Sequence, residues 1–574
     1  MRGDPAGGVV ERRPRGAALV AVCVLSGGGP ALAQSGGSDA TPQPDLAELA
    51  RRVGEVKIEE HSAEEYRAAA DAYRALLAEV EAIPTDDLDL DDEIDVGLLR
   101  DHLRIRLFEI EDAQLHQVVP VRYFALSKTD GLFLRPCGVA DRGVREAVEE
   151  LERLPRILEN ARANLTRPAR TWTENAIYQA WYAQLLLREK VPAACVDDPA
   201  LLAELVATAR LAADAVDTYT AWLERVLLPR SDRSPAWTPE QIETYQVVQE
   251  QLAGYGVDEM LRVAEEERVT TRRAMEELAH RIHPSGDLHT VWELMKEEAP
   301  PWDEVEPMAQ RYVDLAAEWL RGQGRHVLDI PERFDWDARE ATPMARRTLS
   351  FGGASYGPTV SERISGYYVL TPLESRLSAE EKASRIKSYN PYWTHVISYH
   401  EWVGHNVQRA YAQAGGDTPV RRLVGSAYFS QAWSFYLEKL FEDEGYYHLL
   451  PHLEALKTRM ARLQMRMWRV QRILTKLKMA KGELTFDQAV QAYVDEIGME
   501  PTNAFIEVQR DSQTPASPGR EIIGERVILE IRDEYGRRLG PHYDPARDLK
   551  QFHRELLRHG DLPLPAVRRL MFRD

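Results

Sequence analysis

The run His400-Glu401-Trp402-Val403-Gly404-His405 sets two imidazoles and a carboxylate within six residues. Two histidines that face the same way can hold a divalent metal ion. A glutamate directly after the first can then take a proton from water bound to that ion, which is the chemistry of hydrolysis. The usual step between the histidines is four residues; here it is five. On a regular α-helix five residues turn through about 500°, leaving the imidazoles roughly 140° apart and unable to share an ion. One wider, π-type turn returns them to within about 50° of each other, and such turns concentrate at functional sites. Gly404 lies inside the step and supplies backbone latitude for it.

A helix must carry this run, and its ends are written in the sequence. Asn390 is a good N-cap, Pro391 suits the first helical position, and Gly415 and Gly416 suit the C-terminal end. Trp393, Val396, Val403, Val407, Tyr411 and Ala414 form an apolar stripe at helical spacing, and His400 falls on it. A polar imidazole there needs a partner, because an unpaired buried polar group costs about 1–3 kcal/mol.

The 574 residues are 44% hydrophobic and 29% charged, an ordinary globular balance. The formal charge is −20 and no long basic stretch occurs, which argues against nucleic acid as a partner. Residues 1–33 read as an export signal. Arg12, Arg13 and Arg15 precede an apolar run from Gly16 to Leu25, and Ala31-Leu32-Ala33 offers a small-residue cleavage pattern. The run is too short to span a bilayer, which takes about 20 residues, so no integral membrane segment is expected once the signal is removed. The expected location is periplasmic or secreted. Residues 34–45 read as a flexible leader. Cys137 and Cys195 follow the signal; they either pair, as an oxidising compartment permits, or stay as separate buried thiols.

From residue 46 onward apolar residues recur at three and four through 46–80, 92–117, 143–164, 199–228 and 239–283, which predicts a mainly α chain. The domain reading is a helical N-terminal lobe, 46–347, followed by a metal-site lobe, 348–574. Residues 348–372 are rich in Gly, Ser, Tyr and β-branched side chains and read as short strands or an ordered loop. This segment either walls a cleft beside the metal helix or simply joins the two lobes. Arg363, Tyr367 and Tyr368 within it are candidate substrate or oxyanion contacts. His280 and His283 have no ligand of another type close by in sequence and read as surface residues.

At HEWVGHNVQ, and at SQAWSFYLEKLFEDEGYY in residues 430–447, the chain resembles the bacterial zincin-like hydrolases of the domain of unknown function 885 family. Their signatures are HExxPGHH and, on a later helix, EGWALYAE. FHRELLRHGDLPL at 552–564 also resembles that family's close. The resemblance implies a large, mainly helical, zincin-like metallohydrolase fold and a peptide or small amide substrate. It gives one zinc ion, held by His400 and His405, and Glu401 as general base. It also marks departures. The glutamate that opens EGWALYAE falls at Gln431, the downstream Asp and His fall at Thr475 and Met479, and the family tyrosine falls at Glu521, ahead of Gly524. Arg510 is retained and joins the candidate contacts. The HExxGH spacing is similar to that of the dipeptidyl peptidase III family too. That family's second motif, EExRAE, is absent, so the spacing reads as convergent.

A catalytic zinc usually takes three protein ligands and leaves one position for water. On the helix expected from about 427 to 444, Gln431, Glu438 and Glu442 share one face to within about 20°, but seven residues rise about 10.5 Å, so only one reaches a given ion. Registration by QAWSFYLE makes Gln431 the third ligand. A carboxylate is the better zinc donor, which favours Glu438 instead, with Glu442 one turn on as its support. Glu438 and Glu442 also read simply as a solvated acidic face. The functional expectation is an exported zinc-dependent peptidase or amidase. The alternative is a non-catalytic binding or scaffold protein with a degenerate metal site.

Overall fold

Helix follows helix from Leu46 to Phe572, broken by one small sheet. The computed structural model describes residues 45–574 apart from 135–136, 138–139, 232–236, 332–333, 347–348, 357–363, 415–417, 517 and 574. The expected signal, the leader up to residue 44, Arg363, and the glycines Gly415 and Gly416 lie outside the described residues.

The apolar runs at 143–164 and 199–228 correspond to helices Asp141–Asn164 and Pro199–Trp222, and Val257–Ile282 covers the end of the run at 239–283. The run 46–80 divides into Leu46–Glu55 and Ala63–Glu81. Ser62 starts the second of these with a reciprocal capping box, its hydroxyl accepting from the Glu65 N–H while the Glu65 carboxylate accepts from the Ser62 N–H. Asn390 behaves as read: its side chain accepts from the Trp393 N–H at 3.1 Å, and Pro391 opens the helix.

Three strands are found among the described residues: β1 (Phe334–Glu340), β2 (Gly352–Tyr356) and β3 (Ile364–Leu370). They lie in the order β1-β3-β2, with β1 parallel to β3 and β2 antiparallel to it. The described part of segment 348–372 thus contains two short strands. β1 starts before it, in FDWDARE, where alternating apolar and charged residues carry a strand pattern too short to stand out. The order leaves β2 at an edge of the sheet.

One core cluster draws residues from Leu49 to Leu570 and so takes in both sides of residue 348; Trp292, Trp402 and Trp433 are essentially inaccessible within it. A second cluster lies among helices Asp141–Asn164, Arg170–Gln184 and Pro199–Trp222. Cys137 and Cys195, whose pairing the sequence leaves open, form a disulfide across a separation of 58 residues. It ties together the segments that lead into Asp141–Asn164 and Pro199–Trp222. In the chain-entropy picture a loop of this length is worth about 4 kcal/mol of restraint on the unfolded chain. Replacing both cysteines by serine is expected to lower the urea midpoint by restoring freedom to the unfolded chain. An unchanged midpoint would show that the bridge does not restrain the unfolded chain.

Candidate metal centre

The helix that begins at Pro391 widens at His400. Residues His400–Val407 follow a π-helical path before α geometry resumes at Gln408–Ala414. This is the wide turn that a five-residue step requires. The rings of His400 and His405 meet with centroids 5.1 Å apart. One potential ligand atom from each of His400, Glu401 and His405 lies within 4.8 Å of the others. Gly404 serves a different need from backbone latitude. A Cβ on it would stand 2.4 Å from Ser434 Oγ and 2.8 Å from Ser434 Cα. Glycine is there because the helix Ala427–Asp443 lies directly against the wide turn.

That helix presents Ser430, Gln431, Ser434 and Glu438 on one face, at spacings of three and four. Ser430 Oγ is 3.5 Å from His405 Nδ1, and Glu438 Oε1 is 2.8 Å from His400 Nδ1. Gln431 lines the cavity in front of the histidines. Glu438 therefore stands behind His400, not beside Gln431 in the cavity, and it is buried rather than part of a solvated face. It takes the Nδ1–H of His400, which assigns the tautomer from the hydrogen-bond network and leaves Nε2 with a lone pair. Glu442 gives it no support. Its carboxylate is held by Arg459 at 2.6 Å and Arg462 at 2.5 Å.

Burial sets the charge state of the site. It holds both imidazoles well below their ordinary pKa, with Arg469 adding to the effect on each, so both are neutral, the form that binds metal. Burial raises Glu401 to about 7, against the opposing pull of Arg469 and of the Ala354 N–H that hydrogen-bonds it. Glu438 is likewise raised to about 7 by burial, opposed by Arg469 and Arg462. Two neutral imidazoles with Nδ1 engaged, plus the Glu401 carboxylate within reach of both, fit a divalent cation. Gln431 adds a neutral amide oxygen where a carboxylate would bind more strongly.

The cavity has a volume of 380 Å³ and is lined by His400, Glu401, His405, Gln431 and the edge strand residues Gly352, Gly353 and Ala354. Trp468, Arg469 and Arg472 from the helix His452–Ala480 close it on another side, with Glu507 and Arg510 from Pro501–Ser512, and Arg520. Of the expected contacts, Arg510 is in place. Tyr367 is not: it is buried in a small cluster with Ala341 and Val369, its ring 3.8 Å from the Arg339 guanidinium. Tyr368 is fully buried and, like Tyr367, absent from the cavity wall. Strand position explains this: the cavity wall is made by the edge strand β2, and β3 lies in the middle of the sheet. Thr475 donates to its own helix, at the carbonyl of Gln471, and Met479 is core. Glu521 is paired with Arg472; burial alone would raise it, but Arg472, Arg520 and Arg469 hold it at about 2. The arginines at 469, 472 and 520 and Glu507 were missed by sequence reasoning. The available signal was a helix, RMARLQMRMWRVQR, whose arginines interrupt apolar residues on every side and so cannot all face water.

The family described as bacterial protein of unknown function, DUF885, matches residues 47–571. The chain belongs to this family. Two solved structures share the DUF885 chain's fold. One is from Shewanella oneidensis, described as "a putative lipoprotein of unknown function", at 20% identity, covering 92% of this chain and 97% of that one with a TM-score of 0.68. The other, a "putative lipoprotein" from Colwellia psychrerythraea, is 15% identical and covers 92% and 98% with a TM-score of 0.71. At these identities the likeness is one of fold. No curated protein matches the chain.

If Glu438 orients His400 for a metal ion, Glu438→Gln is expected to weaken zinc binding about 10- to 100-fold, as loss of such a partner typically does. Competition with a chromogenic chelator measures this. Equal affinity in the two proteins would leave Glu438 with no part in the site.

Proposed function

We propose that this chain is an exported, zinc-dependent hydrolase of zincin-like design that cuts a peptide or small amide bond. One observation carries the reading: the wide turn brings His400 and His405 to the same side of a cavity, with Glu401 beside them. His400 and His405 would hold the ion, their Nδ1 sides being engaged by Glu438 and Ser430, and Gln431 on the cavity wall would offer its amide oxygen as a third donor. Zinc, when bound, polarises a carbonyl oxygen and lets water attack near neutral pH. Glu401 accepts the proton of the attacking water and passes it to the leaving nitrogen, a task suited to a carboxyl group whose burial raises its pKa to about 7. The edge strand β2 lines the cavity at Gly352–Ala354; the Ala354 N–H is taken by Glu401, and the remaining groups on that edge would pair with an extended peptide.

Export is supported by the signal-like residues 1–33 and by the Cys137–Cys195 bridge, which suits oxidising surroundings. Both structural relatives are described as lipoproteins, which points the same way. Among the described residues no helix is long and apolar enough to cross a membrane.

Gln431 favours one other reading, a binding or scaffold protein that keeps the fold and has lost turnover. Metal analysis together with hydrolysis of a panel of blocked peptides separates the two, using the unmutated protein and Glu401→Gln. The expected result is one zinc per chain in both proteins and turnover in the unmutated one alone. Zinc in both with turnover in neither matches the binding protein. Equal turnover in both would remove Glu401 from the mechanism.

A further inference from the structure

Among the described residues, four arginines face the cavity: Arg469, Arg472, Arg510 and Arg520. Three of them meet a carboxylate at hydrogen-bonding distance. Arg472 pairs with Glu507 at 3.0 Å and also with Glu521. Arg510 reaches Glu507 at 2.8 Å, and Arg520 reaches Glu521 at 3.3 Å. Asp511 stands 3.7 Å from both Arg472 and Arg510.

Arg469 is placed differently. It is only 5% exposed. Its Nη1 donates to the Met465 carbonyl at 3.3 Å, and its Nε has no hydrogen-bond partner. The nearest carboxylate oxygen, Glu438 Oε1, is 3.5 Å from Nη2 and already accepts from His400 Nδ1 at 2.8 Å. Ring faces steady the guanidinium instead, with Trp468 at 4.6 Å and Phe435 at 5.9 Å. Arginine does not shed its charge in proteins. Buried charges are normally paired and hydrogen-bonded, and this one sits on a cavity wall with its pairing incomplete.

We propose that Arg469 binds a carboxylate on the substrate. The substrate class of this site is then a short peptide or N-acyl amino acid whose free carboxyl group lies close to the bond that is cut. The proposal deepens the hydrolase reading above and rests on it for the identity of that bond. A planar guanidinium matches carboxylate geometry, and a hydrogen bond between two charged groups is about twice as strong as a neutral one. The cavity volume of 380 Å³ is near the low end of the roughly 300–1,000 Å³ usual for small-ligand sites, which suits a short substrate.

The test reads binding without turnover. Zinc-loaded Glu401→Gln protein is titrated calorimetrically with an N-acetylated dipeptide as the free acid and as its C-terminal amide. The free acid is expected to bind at least about tenfold more tightly, the worth of one hydrogen bond to a charged group. Adding Arg469→Gln should erase that preference in a protein that still folds and binds zinc, and Arg469→Lys should keep part of it. Equal affinity for acid and amide, including no binding of either, overturns the proposal. So does a preference that survives Arg469→Gln. If Arg469→Gln fails to fold, the acid-to-amide ratio in the Arg469 and Arg469→Lys proteins decides, and an identical ratio in the two counts against it. Preference for the free acid in a protein that hydrolyses no peptide would sink the hydrolase reading and leave the carboxylate subsite standing.

Discussion

Gly404 lies against the backbone of Ser434 with no room for even one methyl group between them, and the candidate site is assembled around that contact. The helix Ala427–Asp443 comes close enough there for Ser430 to reach His405 and for Glu438 to reach His400, eight residues further along the same face. The wide turn at His400–Val407 does the complementary work on the other helix. A regular α-helix would send the two imidazoles to different sides. A wide turn without the close approach would bring them together but leave both Nδ1 atoms without these partners. Register and proximity are needed at the same time, so a glycine stands inside the motif.

The second constraint is electrostatic. Glu438, Glu507, Arg469 and Arg472 are all withdrawn from water, and Glu401 is partly so, next to a core that contains Trp402 and Trp433. Buried ion pairs of this kind seldom add stability relative to apolar side chains of similar size, because each charge gives up its hydration. Their concentration around one cavity is better explained by what they hold in position. Glu507 and Glu521 fix Arg472. Glu438 fixes His400. The Ala354 N–H fixes Glu401. His400, Glu401 and Arg472 thus each have a second group that sets orientation or charge, the arrangement expected of a preorganised site.

Local features of the fold were legible in the sequence. Asn390-Pro391 announced the start of the metal helix, three- and four-residue periodicity announced the long helices, and the five-residue histidine step demanded a wide turn. What depends on packing between distant segments was not legible. Nothing in SQAWSFYLE says that Glu438 sits behind an imidazole while Gln431 faces the cavity; that follows from where Gly404 lets the helix lie. Tyr367 and Tyr368 are attractive donors in isolation, but β3 is the middle strand of its sheet and β2 takes the cavity side. The arginine wall was hidden for a related reason. Arg469 and Arg472 are on a helix whose residues are buried nearly all round, so its periodicity marks no face for them.

The central claim is that His400 and His405 share one ion across the wide turn. Anomalous diffraction at the zinc absorption edge, from crystals grown with zinc, tests it most directly. The account predicts a single strong peak in the cavity, bonded to Nε2 of His400 and of His405 and next to the Gln431 amide oxygen. A cavity without a peak at saturating zinc, or a zinc bound elsewhere while the two imidazoles bind nothing between them, would contradict it.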